Sequence, residues 1–423
     1  MAYLRFYTVN FASLYAILCF SLLTIFSFSA YAEEDENLAL YSEMNTRLGY
    51  MKAVALYKWQ NKLAIEDLTR EKLVIEKSVS MAKEQGVASQ AIEDFFRVQI
   101  EIAKKIQRNY YQQWTEHGLP AELQGATNSE LSLSEIRPQL IVLGKSIIQG
   151  IASHQGEHDF VLFDQAIDTR FVSLEDKALL FRALTSVKPK AYSSVLDRIL
   201  AQKIMFVGTT GDYEPFSYLE DMHRSGVDID LANQLAASLG AKAVFIHTSW
   251  ASLITDFRSQ NFDIMMSGIS KKLFRQQVGL MSDVYLQGGK TPITLCANVS
   301  QYDSLAKIDK PSTRVIVNKG GTNQRFVDDN IKQAKVTVHG SNVTVFQEIL
   351  DGRADVMITD RIEVQLQSKK HPKLCAAMPD TNLSYSAKAF LMSRDLIWKE
   401  YVDAWLEITI KDGTMASVFA RYI

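Results

Sequence analysis

The chain has 423 residues, a formal net charge of −2, and 47% hydrophobic against 22% charged residues. That composition excludes a disordered or collagen-like chain, and the length allows about three domain-sized units. No Lys/Arg excess is available to neutralise phosphates, which argues against a general nucleic-acid binder, and three cysteines are too few and too scattered for a zinc finger or a disulfide-dense scaffold.

Arg5 is the only charge before Glu33, and residues 11–28 (FASLYAILCFSLLTIFSF) are nearly all apolar or small. Ala30-Tyr31-Ala32 closes the run ahead of Glu33-Glu34-Asp35-Glu36. A basic start, an apolar run and a small-x-small cleavage site predict an export signal over residues 1–32. The run is almost long enough for the alternative, an uncleaved membrane anchor; the placement of the cleavage site favours removal. Removal takes Cys19 away and leaves Cys296 and Cys375, and an even pair in an oxidising compartment is more often bridged than free. No later segment is apolar enough to span, so the mature chain is expected to be soluble, without stable membrane insertion.

Leu38, Tyr41, Leu48, Met51, Ala55 and Trp59 recur at helical spacing, which predicts helix from Leu38 to Leu63. Arg47 and Lys58 are eleven residues apart, so they share one face, roughly 16 Å apart along the axis. Glu66-Asp67 suit a helix N-terminus and place Arg70 in the first turns. A run from Ser89 to Trp114 puts Phe95 or Phe96, Gln99, Ala103 and Gln107 in one row. Residues 116–134 carry Gly, Pro, Asn and Ser and read as a loop; the helix after it carries Arg137 early. Taken singly, each of these cations is expected to be a solvated surface residue.

The texture changes over residues 190–203, where an amphipathic helix VLDRILAQ leads into a first strand. Beyond Lys203, the β-rich runs IMFVG, AVFIH, FDIMMSG, TRVIV and ADVMITD alternate with amphipathic helices. Alternation of this kind predicts an α/β unit with a mostly parallel sheet. The expected organisation is a signal over 1–32, an all-helical domain over 33–195 and an α/β domain over 196–423. The seven histidines show no ligand spacing, so no metal and no cofactor is expected. There is no Ser-His-Asp signature, and Gly320-Gly321 is too short for a phosphate-binding loop.

The stretches Arg47-Leu48, Tyr57-Lys58-Trp59, Ile65-Glu66-Asp67-x-x-Arg70 and Phe96-x-x-Gln99-Ile100 leading to Gln107, continued weakly by Ser134-x-x-Arg137, resemble the secreted, gamma-class chorismate mutases of the all-helical type. The resemblance implies a pericyclic conversion of chorismate to prephenate, which needs orientation and fixed electrostatics and no nucleophile. It implies that Arg47, Arg70 and Arg137 clamp the two carboxylates, that Lys58 and Gln107 donate to the ether oxygen, and that Asp67 orients substrate or cations. Ala103 stands where the family often has a hydroxyl residue. Secreted relatives are helical dimers, so a homodimer through this half is expected.

Val207 to Phe216 (VGTTGDYEPF), Val227-Asp228-Ile229-Asp230-Leu231, Thr248-Ser249-Trp250 and Ser267-Gly268-Ile269-Ser270-x4-Arg275 resemble, in that order, the polar amino-acid solute-binding proteins, a two-lobed periplasmic fold. That resemblance implies carboxylate binding by Arg275, Ser270 and Thr322, an amine-binding role for Asp360, and a substrate site that takes in Tyr213, Trp250, Ser267, Lys290 and Asn323. Cys296 and Cys375 occur where such proteins often have a disulfide. Across nearly all of 203–410 the wording is nearer still to the periplasmic cyclohexadienyl dehydratases, which turn prephenate into phenylpyruvate or arogenate into phenylalanine. A proton donor for the leaving hydroxyl is then needed. The family pattern leads us to expect glutamate after Gly320-Gly321-Thr322-Asn323, and this chain has Gln324, an amide that cannot protonate. Asp212, Glu214, Asp360 and Lys290 are alternative donors. Two readings follow: a bifunctional exported enzyme making phenylpyruvate from chorismate, which the shared metabolite favours, or an active mutase fused to a solute-binding domain that captures prephenate or an amino acid without turnover.

Overall fold

The computed structural model describes residues 36–124, 132–221 and 223–423. The leader expected over 1–32 and most of the small-residue loop therefore lie outside the described residues. The chain divides into two compact units, 1–191 and 192–423.

The first unit is helical: α1 (36–49), α2 (Met51–Gln60), α3 (Leu68–Glu84), α4 (Ser89–His117), α5 (Ala121–Gln124), α6 (Leu133–Ser153), α7 (Phe160–Ala166) and α8 (Leu174–Thr185). The single helix expected over 38–63 is two, α1 and α2, meeting at Tyr50. Tyr50 keeps helical angles, its N–H donates to Thr46 O and its carbonyl accepts from Val54, so the face shared by Arg47 and Lys58 survives the junction. Asp67 caps α3 by accepting the Arg70 N–H at 2.9 Å. Ser173 and Asp176 form a capping box on α8. Helix α4 is the spine: its buried stripe runs from Ile92 through Phe95, Phe96, Ile102 and Ile106 to Trp114, and it packs on α2, α3 and α8. Gln99 and Gln107 interrupt that apolar stripe, and both are buried. A polar residue kept inside such a stripe must find a partner there.

In the second unit, α9 (Val195–Gln202) leads into β1 (Ile204–Thr209). Val195 N–H donates to Asp395 at 2.6 Å and Ile199 sits in the same core as Leu231 and Trp398, so this helix belongs to the α/β unit. The remaining strands are β2 (Asp212–Tyr213), β3 (Ser217–Glu220), β4 (His223–Ser225), β5 (Lys242–His247), β6 (Ile264–Met265), β7 (Leu280–Met281), β8 (Leu286–Leu295), β9 (Arg314–Asn318), β10 (Lys335–His339), β11 (Val356–Asp360), β12 (Leu374–Ala376), β13 (Ser384–Lys388) and β14 (Leu391–Met392). The first lobe has the sheet β5-β1-β6-β14-β7, and the second has β10-β9-β11-β8-β12 with β13 also on β8.

These two sheets are mixed rather than mostly parallel, and β2-β3-β4 form a small antiparallel third. Strands β1, β5 and β6 run parallel, as do β9, β10 and β11, but β14 and β8 run against their neighbours. The cause is a double crossover: the chain enters the second lobe along β8 and returns along β13, which pairs with β8 in antiparallel register. Alternation along β9 sends Val315 and Val317 to one face and Ile316 to the other, where they join separate clusters.

Cys296, at the end of β8, is bonded to Cys375 on β12, with the Cα atoms 4.8 Å apart and a sequence separation of 79. Closing a loop of that length stabilises by roughly 4.5 kcal/mol in the chain-entropy account. The paired Cys296→Ser and Cys375→Ser substitutions are therefore expected to lower the unfolding free energy of this unit by about that amount, read as a fall in its denaturant midpoint at unchanged m. A midpoint that does not move would refute the contribution.

Candidate functional sites

Arg47, Lys58, Asp67, Arg70, Ala103, Gln107 and Arg137 line one cavity of about 150 Å³ in the first unit. They come from α1, α2, the α2–α3 connection, α3, α4 and α6, so tertiary packing is what gathers them. Met51, Val54, Val74, Ile100 and Leu140 supply an apolar wall. Arg47 is buried, donates from Nη1 to Gln99 Oε1 at 2.7 Å and lies 5.4 Å from the centre of the Phe96 ring. Burial lowers its guanidinium to about 10, still a cation at neutral pH. Burial also lowers the Lys58 ammonium; Asp67 opposes that shift and Arg137 adds to it. Arg70 is lowered by burial and by Arg137. Each cation thus feels the next, and Arg47, Lys58, Arg70 and Arg137 outnumber the facing Asp67 and Glu71. A dianion is the ligand such a field favours.

Two polar atoms in this cavity have no hydrogen-bond partner within the protein, Arg47 Nε and Gln107 Oε1. A buried donor left unpaired costs about 1–3 kcal/mol, which an anionic ligand on Arg47 would recover. Lys58 Nζ donates to Ile65 O at 2.6 Å. Gln107 Nε2 is turned toward Ala103 O at 3.1 Å and Met51 Sδ at 3.7 Å, so donation to a ligand requires its carboxamide to turn. Lys104 was not anticipated. It lines the same cavity, is buried, and pairs with Glu66, Glu71 and Glu101 at 3.6, 3.2 and 2.7 Å. The pairs with Glu66 and Glu71 fasten the Asp67 turn and α3 onto α4. Glu66 and Glu71 lie more than thirty positions away, so no local pattern announces the contact.

In the second unit, Tyr213, Trp250, Ser270, Thr322, Asn323 and Asp360 line a cleft between the lobes, together with Gly268, Asn318, Gly321, Asn342 and Lys388. The cleft narrows to about 20 Å³, little more than the space of one water, so a ring-sized ligand enters only when the lobes part. Gly268 needs its positive φ of 63°, and a Cβ there would strike Phe216 and Tyr213. At Gly320 the backbone comes so near Trp250 and Ala251 that a Cβ would lie 3.1 Å from each.

The cleft centres on Asp360. Its Oδ1 accepts from Lys290 Nζ at 3.1 Å; its Oδ2 accepts from Lys388 Nζ and Tyr213 OH, each at 2.7 Å. Lys290 stands opposite Asp360 in the β8–β11 register, and Lys388 ends β13. All three charged groups are buried. Burial by itself would raise the Asp360 carboxyl, but Lys290 and Lys388 more than offset it and hold it well below the usual range. Both Asp360 oxygens thus already accept from the protein's own donors, which compete with the amine expected there.

Behind this group lies Glu363, in the first turn of helix Arg361–Lys370 and 2% exposed. Thr359 Oγ1 donates to it and in turn accepts from Asn323 Nδ2 at 2.9 Å. Burial pushes the Glu363 carboxyl up to about 8, with Thr359 opposing and the Asp360 charge adding to the rise. It is the acid that sequence reasoning missed. The available signal was a second carboxylate three residues after Asp360, where a helix start can keep it inside.

Other expected residues sit elsewhere. Gln324 is not among the residues lining the cleft; its Oε1 accepts the Gly320 N–H at 2.6 Å. Ser267 is fully buried in a hydroxyl cluster with Thr210 and Ser217, which leaves it behind the cleft. Arg275 is buried beneath the cleft, with Nη1 donating to Ser270 O at 2.6 Å, Nε unpartnered, and its guanidinium lowered to about 10 by burial. Of the alternative proton donors, Glu214 is paired with Lys370 at 2.6 Å. Asp212 is raised by burial, while hydrogen bonds from Thr210 and Trp250 pull it back.

Residues 205–423 match the bacterial extracellular solute-binding proteins, family 3, across just over half of the chain. The chain belongs to that family. Within it, the second unit is similar to the cyclohexadienyl dehydratase of Pseudomonas aeruginosa, at 49% identity over 233 residues, 55% of this chain and 87% of that protein. A solved structure of an ancestral amino acid-binding protein, AncCDT-1, described as a precursor of cyclohexadienyl dehydratase, is 30% identical with a TM-score of 0.50, covering 54% of this chain and 99% of that one. This solute-binding family member carries an additional helical unit whose residues 37–108 match chorismate mutase type II. That unit is similar to the monofunctional chorismate mutase of Enterobacter agglomerans, at 27% identity over 151 residues, 36% of this chain and 82% of that protein.

Proposed function

We propose that the chain is a bifunctional exported enzyme of phenylalanine biosynthesis. The helical unit rearranges chorismate to prephenate, and the α/β unit dehydrates and decarboxylates prephenate to phenylpyruvate. The observation that carries the reading is the pairing of two cation-rich sites on one chain, the second backed by a buried carboxyl, Glu363, that burial raises to about 8.

In the helical unit, Arg47, Arg70 and Arg137 hold the substrate's carboxylates through planar forks. Lys58, with Gln107 once its carboxamide turns, meets the negative charge that grows on the ether oxygen as the bond breaks. Ala103 leaves one contact to be made by water or by neighbouring groups. In the α/β unit, Arg275, Ser270 and Thr322 receive carboxylate. Glu363 supplies the proton to the departing ring hydroxyl, the C–O bond breaks, and the electron pair of the bond to the ring carboxylate moves into the ring as carbon dioxide leaves. One proton is consumed, and water, carbon dioxide and phenylpyruvate are formed. Asp360 is ionised and cannot take this part. Export to the periplasm through residues 1–32, and association of two copies through the helical unit, complete the proposal.

The test uses the mature chain, residues 33–423, given prephenate alone, with phenylpyruvate followed by its absorbance in alkali. Turnover is expected, and Arg275→Ala is expected to reduce it by about a hundredfold through loss of a buried charge-assisted carboxylate contact. Gln324→Glu is expected to change the rate by less than about threefold, since that side chain caps Gly320 and carries no acid role. Wild-type chain that leaves prephenate untouched would overturn the dehydratase half, and a large gain in Gln324→Glu would return the proton-donor role to position 324.

A further inference from the structure

A carboxylate at the end of β11 faces a ligand cleft, yet three of the protein's own donors already sit on it. Asp360 has two ammonium groups and a phenol on its two oxygens. Lys388 in particular is anchored on four sides: Asp360 Oδ2 at 2.7 Å, Gly268 O at 2.7 Å, Tyr213 OH at 3.1 Å and, more weakly, Ser270 Oγ at 3.5 Å. It also lies 4.8 Å from the centre of the Tyr213 ring. Its Nζ thus sits on the carboxylate, beside an aromatic face, at the wall of the cleft. A carboxylate, a carbonyl and a ring face are the partners that a ligand's α-ammonium would use.

The charge count points the same way. Around the cleft stand Lys290, Lys388, Arg275 and Lys272, the last half-buried and within reach of the Lys290, Arg275 and Asp360 charges. Asp360 is the carboxylate that pairs directly with Lys290 and Lys388. An excess of fixed positive charge in a site without bulk water favours a ligand with two carboxylates and no ammonium, and penalises one that brings its own ammonium beside Lys388.

We propose that Lys388 is a built-in surrogate for a ligand ammonium group, and that by occupying Asp360 it makes the cleft selective for the keto-acid dianion over the corresponding amino acid. The inference rests on the dehydratase reading above and deepens it, because it ranks the two cyclohexadienyl substrates: prephenate, with a ketone on its side chain, above arogenate, with an ammonium in that place.

The experiment compares kcat/KM for prephenate and arogenate in the mature chain, reading phenylpyruvate by absorbance and phenylalanine by chromatography. Wild type is expected to favour prephenate by at least roughly tenfold, and Lys388→Met to move that ratio toward arogenate by at least roughly tenfold. Lys388→Arg keeps the charge and is expected to keep the wild-type ratio. A purely structural role for Lys388 would lower both activities together and leave their ratio in place, which overturns the proposal, as does a wild type that prefers arogenate. Should Lys388→Met fail to fold, Asp360→Asn takes its place: it removes the carboxylate paired with Lys388 and is expected to sharpen the preference for prephenate, whereas an unmoved or reversed ratio counts against the idea. If neither substrate turns over, the dehydratase reading falls, and selectivity is read by calorimetry on an Arg47→Ala chain, whose mutase cavity no longer competes for prephenate. Tighter binding of phenylalanine or arogenate than of prephenate there would refute the surrogate.

Discussion

Glu363→Gln is expected to lower the prephenate dehydratase kcat by about 10²- to 10⁴-fold, the range a positioned general acid contributes. The amide keeps the volume of the side chain and can still accept from Thr359, so the fold and the carboxylate contacts of the cleft stay in place. What is lost is the carboxyl proton that burial holds on Glu363 up to about pH 8. The pH profile carries the same information. With the carboxyl raised to about 8, the active form is the protonated one; kcat is therefore level below that value and falls about tenfold per unit above it. The residual activity of Glu363→Gln should lack this alkaline limb. Persistence of the same limb, or a loss smaller than about tenfold, would assign the proton to another group. Chorismate mutase activity, measured on the same preparation, is expected to be unaffected, since that site lies in a separate compact unit.

Lys58→Met is the counterpart in the helical unit. Removing one preorganised donor to a developing oxyanion costs about 10²- to 10³-fold in kcat, and here the donor is charged and the cavity wall apolar, which places the effect toward the upper end. The methionine preserves most of the aliphatic stem. Arg47, Arg70 and Arg137 still hold the carboxylates, so KM is expected to move much less than kcat. A loss that appears mainly in KM would instead make Lys58 a carboxylate ligand. Since burial lowers the Lys58 ammonium, mutase activity should decline on the alkaline side at a pH below the usual lysine range, and Lys58→Arg should shift that decline upward.

The two sites differ in how far the chain order reveals them. The mutase cavity was legible because its cations sit at helical steps: Arg47 and Lys58 share a face through the Tyr50 junction, and Asp67 caps the helix that carries Arg70. All seven expected residues reach one cavity. Lys104 was not legible, since its meaning lies in Glu66 and Glu71 on other segments. In the α/β unit the reading identified the lobes, the strand runs and most of the lining residues. It offered Asp212, Glu214, Asp360 and Lys290 as donors, since an amide cannot protonate, and passed over Glu363; in the structure Gln324 caps a backbone N–H and Glu363 is a buried carboxyl. Both are polar residues near a helix start, and helical phase decides which one turns inward.

Composition, periodicity and motif spacing were enough to divide the protein into a helical and an α/β part, to place the seam near the helix Val195–Gln202, and to name the cations of the first site, because these depend on local propensity and on apolar patterning along the chain. The tertiary structure alone decided that the two larger sheets are mixed, that Ser267 and Gln324 turn away from the cleft, and that Asp360 is already neutralised by Lys290 and Lys388. Each of these depends on side chains and strands far apart in sequence meeting in a water-poor interior, where a neighbouring charge or a lost hydration shell outweighs any intrinsic preference of the residue.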